Sequence, residues 1–83
     1  GSVLAAIEDA RADKLGNDVN NWLASRFGKR MVDGLQATHY AEEQRPIETR
    51  WDVITAVTAQ ARNVQHQDAR VEMERQAGAL LQG

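Results

Sequence analysis

The chain is 83 residues long, carries no cysteine, and balances ten basic against twelve acidic residues for a net charge of −2. That length is one domain, burying about 60–65% of its unfolded surface and stable by roughly 4–8 kcal/mol. Disulfide frameworks and thiolate chemistry are excluded, no apolar run approaches the roughly 20 residues of a membrane span, and the balance lacks the positive excess usual in a dedicated DNA-binding domain.

Gly1-Ser2 reads as the scar that tag removal leaves, so residues 3–83 are taken as a single helical domain, the C-terminal module of a longer protein. No charged segment followed by an apolar one opens the chain as a signal peptide does. Val3, Leu4, Ile7 and Ala10 recur at helical spacing, with Gly16 placed as a stop and Asn17 or Asp18 as the next cap. Val19, Trp22, Leu23 and Phe27 form one face of a second helix, which Gly28 ends or loosens. Met31, Val32 and Leu35 begin a third, which runs through His39 and Tyr40 and turns polar at Glu42, Glu43 and Gln44. Gly34 inside it costs about 1 kcal/mol of helix propensity.

Arg45-Pro46-Ile47-Glu48 must be a connection, because Pro46 has no amide proton and pushes Arg45 out of the helical region. Thr49 is placed as an N-cap, with Asp52 where a capping-box acid sits; both read as helix-starting residues rather than catalytic ones. Trp51, Val53, Ile54, Val57, Thr58, Ala61 and Val64 share one broad face, with Asp52, Ala56, Ala59 and Asn63 opposite. Ala69, Met73, Ala77, Leu80 and Leu81 form a stripe rotated by roughly 140° from it, taking 100° per residue. The rotation places a break at residues 65–68, with Asp68 capping the last helix. The expected fold class is all-α, a compact bundle of four or five short helices.

Chemistry-bearing constellations are sparse. His39-x-x-Glu42-Glu43 sets an imidazole beside a carboxylate, yet bundle metal sites draw Glu-x-x-His from two helices, and His66 lacks a glutamate three residues earlier. His39 therefore reads as a solvated or capping residue, with no metal and no cofactor. Ser25 stands in no nucleophile motif and Gly28-Lys29 is no phosphate loop, so the chain is not expected to be an enzyme.

Arg26, Lys29 and Arg30 flank Phe27 near Trp22, the pairing of cations and aromatic rings by which single strands are bound. They are the candidate nucleic-acid or partner contact. The competing expectation turns both rings inward and leaves the cations in water. Trp51 reads as a core residue before a partner anchor. Leu80 and Leu81, closing a stripe that needs covering, are the candidate association face.

The run from Arg45 to Leu81 carries a resemblance. Thr49, Trp51 and Asp52, the Ala-Val-Thr-Ala at 56–59, Asp68 with Arg70, and Glu74, Ala77, Gly78, Leu80 and Leu81 resemble the C-terminal part of phage/plasmid-related proteins grouped as a domain of unknown function (family nine-three-two). Phe27-Gly28-Lys29 also fits that pattern, while the first third of the chain hardly matches. The resemblance implies a cytoplasmic bacterial protein, prophage- or plasmid-borne, and brings no activity and no functional residues. Asp68 suits an N-cap, and Arg70 with Glu74 has the spacing of a helical ion pair. The expected role is a protein-interaction or self-association module whose partner is the rest of its parent protein or a second copy. The alternative is an accessory nucleic-acid-binding domain in phage or plasmid recombination or replication. No membrane association is expected.

Overall fold

A computed structural model describes residues 2–81; Gly1, half of the expected scar, lies outside them. Five helices follow in order: α1 (Val3–Ala12), α2 (Val19–Phe27), α3 (Lys29–Glu43), α4 (Arg50–Ala61) and α5 (Gln67–Leu81). The radius of gyration is 12.3 Å, near the roughly 12 Å expected of a compact chain this long.

The hub is α4, whose backbone lies against α5, α3 and α1, while that of α2 lies against α3 alone. The N-terminus of α4 is fixed by the expected capping box: Thr49 Oγ1 accepts from the Asp52 amide, and the Asp52 side chain accepts from the Thr49 amide. Val53, Val57 and Ala61 are fully buried and Ile54 nearly so. Asp52 and Ala56, expected on the outer face, are buried too. Neighbours on three sides leave α4 little outer face, and Ala56 is small enough to sit against one of them.

Gly28 is both the end of α2 and the start of α3. Its φ of 82° and ψ of 154° belong to a region that is essentially glycine-only, so the chain turns between two helices on a single residue. Gly34 lies inside α3, and a Cβ there would lie 3.1 Å from Gln60 Nε2, so its absence lets the Gln60 side chain reach α3. Val32, Leu35 and His39 form the buried stripe of α3, and Gln44 closes that helix in the left-handed conformation, its amide donating to the Tyr40 carbonyl.

Residues 44–48 form a strap rather than a loose loop. Ile47, within the expected connection, is 1% exposed, and its amide donates to Gln36 Oε1. The strap and the start of α4 are stitched to the chain after α1 by two backbone hydrogen bonds, Leu15 amide to Glu48 carbonyl and Arg50 amide to Asp13 carbonyl.

Three expectations need correcting. The break after α4 falls at residues 62–66, and the Arg70 amide donates to the His66 carbonyl, so Asp68 lies inside the first turn of α5 instead of capping it. There its carboxylate still suits the positive end of the helix dipole. The ion pair on α5 is Glu72–Arg75 at 2.6 Å, not Arg70–Glu74. In α1 only Ala10 is fully buried, while Val3 and Leu4 are 72% and 65% exposed. Gly16 does hold a positive φ, but α1 has already ended at Ala12.

Candidate interaction surface

Two places gather polar chemistry or unfilled apolar surface: a buried carboxylate where the strap meets α4, and a groove between α2 and α5.

At the first, Asp52 is 3% exposed and accepts four hydrogen bonds. Arg45 Nη1 and Nη2 donate to Oδ2 and Oδ1 at 2.8 Å each, and the amides of Glu48 and Thr49 donate to Oδ2 at 3.0 Å. Burial by itself would push this carboxyl up, but the Arg45 guanidinium and the two amides outweigh it and hold Asp52 well below the usual carboxylate range. The same bond raises Arg45 further above its already high value.

His39 packs beside this knot, 4% exposed, with Nε2 4.0 Å from Asp52 Oδ1 and no hydrogen-bond partner. It is therefore neither solvated nor a cap. It lies one helical turn beyond Leu35 on the face that α3 turns to α4. Glu42 and Glu43 are exposed, so His39 does not share its environment with them. Among the described residues no three His, Asp or Glu side chains gather at metal-binding distance. Asp52 has its lone pairs committed to Arg45 and the backbone, an arrangement that fixes a helix start rather than one that accepts a substrate proton.

The second place is built by the ends of two helices whose backbones do not meet, although Phe27 of one and Leu80 of the other pack against the same core. α2 leans on α3, α5 leans on α4 and α1, and between them opens a groove of about 280 Å³ lined by Arg26, Phe27, Gln76, Ala79 and Leu80. Three of those five residues are apolar, and the two polar ones carry long side chains. A second cleft, over α4 beside Trp51 and Ile54, is larger at about 350 Å³. Its two threonine hydroxyls are already spent on their own helix, Thr55 donating to the Asp52 carbonyl and Thr58 to the Ile54 carbonyl.

Arg26 folds back along α2, its guanidinium 4.0 Å from the centre of the Trp22 ring and within 3.4 Å of the Trp22 carbonyl. Trp22 and Phe27 are half-buried, packed against the core on one side. Lys29 and Arg30 are exposed in the first turn of α3 and do not line the groove. Of the candidate contacts, the fold thus brings Arg26 and Leu80 together and leaves Lys29 and Arg30 beside them along the chain. Leu81 is half-buried against the core and is not part of the groove lining. Trp51 is also half-buried, with Arg11 4.8 Å above its ring.

Sequence reasoning missed Arg50. Its guanidinium, 14% exposed, donates to the Leu80 carbonyl at 2.8 Å and lies 3.4 Å from Asp13 Oδ2. A cation at the carbonyl end of α5 opposes the negative end of its dipole and fixes the tail that carries Leu80. Nothing local marks this arginine, because its partner lies thirty residues along the chain.

No family model, curated protein or solved structure matches this chain.

Proposed function

We propose that this domain is a non-catalytic protein-interaction module, acting by self-association or by docking on the rest of its parent chain. The observation that carries the reading is the groove between α2 and α5: Phe27 and Leu80, with Ala79 at its edge, left partly open between two helices whose backbones do not meet. A partner's aliphatic side chain placed there removes apolar surface from water on both sides. The same proposal places the module in a cytoplasmic bacterial protein, prophage- or plasmid-borne, as the resemblance of residues 45–81 implies.

The experiment is a photo-crosslinking amino acid placed at Ala79, which is exposed at the groove edge. The expected result is one discrete adduct of defined mass, with the domain itself in cells and in purified protein, or with one partner in cells. A chain that stays uncross-linked in both settings would overturn the reading.

A second reading, accessory nucleic-acid binding, rests on the exposed Arg26, Lys29 and Arg30. Three phosphate contacts give a log–log salt slope of only about −2 on a single strand. Arg26 already covers one face of the Trp22 ring, which competes with stacking by a base. A labelled oligonucleotide titrated at physiological salt should bind no better than about 10⁻⁶ M. Tighter binding that collapses on Lys29→Glu with Arg30→Glu would favour this second reading over the first.

A further inference from the structure

We infer that the occupant of the α2–α5 groove is a second copy of this chain, which seats the exposed Leu4 of its α1 between Phe27 and Leu80 and sets Glu8 and Asp9 against Arg26 and Lys29. The inference rests on the interaction reading and names the partner of that same site.

Two surfaces of the molecule are each incomplete, and they complement each other. The first is the groove, apolar along Phe27, Ala79 and Leu80 and bordered by Arg26, with Lys29 exposed three residues further along the chain. The second is the outward side of α1. Leu4 is 65% exposed and Glu8 follows it one helical turn later, so an aliphatic knob and a carboxylate share one face. Asp9 is exposed on the flank beyond Glu8, about 140° round the helix from Leu4. Neither set meets an opposite charge within the chain: among the described residues, Arg26, Lys29, Glu8 and Asp9 take part in no ion pair, Arg26 resting on the Trp22 ring and carbonyl.

Placed together, the two surfaces bury an apolar side chain in an apolar groove and oppose two acids to two bases. The complementarity also fixes the arrangement. A lasting dimer buries about 800 Å² per partner, roughly one-seventh of a surface of 5630 Å². One knob in one groove falls far short of that. A two-fold pairing, in which each α1 enters the other copy's groove, makes the contact twice and closes the assembly.

The test is sedimentation equilibrium of the parent and of two charge-reversed variants, Arg26→Glu/Lys29→Glu and Glu8→Lys/Asp9→Lys, from micromolar to millimolar concentration. All four positions are exposed, and unchanged circular dichroism establishes that each variant folds. The parent should form a dimer that weakens as salt is raised. Either variant alone opposes like charges in both seats, and its dissociation constant should rise at least about tenfold. Mixed in equal amounts, the two variants restore opposite charges in both seats, so the mixture should dimerise while its components do not. Leu4→Ser, which leaves the charges alone, should weaken the parent dimer as well.

A parent that stays monomeric throughout, variants that associate like the parent, or a mixture that stays monomeric would each overturn the inference. The adduct formed from position 79 separates this failure from that of the broader reading. Cross-linking to a different protein by a monomeric domain ends self-association and leaves the interaction module standing, whereas no adduct at all ends both.

Discussion

At the scale of single residues, the most connected side chain among the described residues is the Asp52 carboxylate, which accepts four hydrogen bonds. Its native proton affinity is lowered, so its contribution to stability is complete above the unfolded-chain value near 3.9 and is lost as pH falls through the native value. Chemical denaturation between neutral pH and about pH 3 should show stability falling on the acid side. Asp52→Asn should cost about 2–4 kcal/mol at neutral pH and flatten the acid limb, with the two proteins converging at low pH. An unchanged acid limb would remove Asp52 as its source. Half of this knot was legible in the sequence. Thr49 and Asp52 are three residues apart, and a spacing that short has one local meaning. Arg45 closing on Asp52 across the strap, and His39 buried beside them, depend on how α3 is laid against α4, which no local pattern specifies.

At the scale of elements, the helices were legible wherever periodicity met punctuation. Pro46 and Thr49 bracket the start of α4, and Gly28 separates α2 from α3. Faces were harder to assign. A hydrophobic wheel gives α4 one apolar side, yet Asp52 and Ala56 are buried on the other, because packing on three sides overrides amphipathicity. The reverse holds in α1, whose apolar Val3 and Leu4 reach past the part of the bundle that covers Ala10.

Two substitutions test these assignments. Gly28→Ala introduces a Cβ at φ 82°, ψ 154°, and although no atom stands in its way, the backbone strain should lower stability by about 1–3 kcal/mol in a denaturant titration. A loss below measurement would mean that the turn is not held in that conformation. Val57→Asp places a carboxylate at a position with no exposure. An unpaired buried charge exceeds the roughly 4–8 kcal/mol a domain this small commands, so circular dichroism should show an unfolded chain at room temperature. Melting near the parent temperature would contradict the central place given to α4.

At the scale of the whole molecule, the fold separates what stabilises it from what it presents. α4 and the strap hold the centre of the core, while the ends of α2 and α5 face each other across the groove, Phe27 and Leu80 each packed against that core on one side. Leu80 belongs to both: its carbonyl is held by Arg50, and its side chain, half-buried, lines the open side. The sequence marked Leu80 as a stripe end needing cover and Arg26 as part of a basic spot. That the two border one groove follows only from the tertiary placement of residues far apart in the chain. The central claim is that this groove binds a partner while contributing little to the core, and Leu80→Ser tests it most directly when association and melting are measured on one sample. The account predicts that association, by sedimentation or by cross-linking from position 79, weakens at least about tenfold, while the side-chain loss at this half-buried site costs only about 1–2 kcal/mol of stability. Undiminished association by a folded Leu80→Ser protein, or loss of association only where the domain itself unfolds, would contradict it.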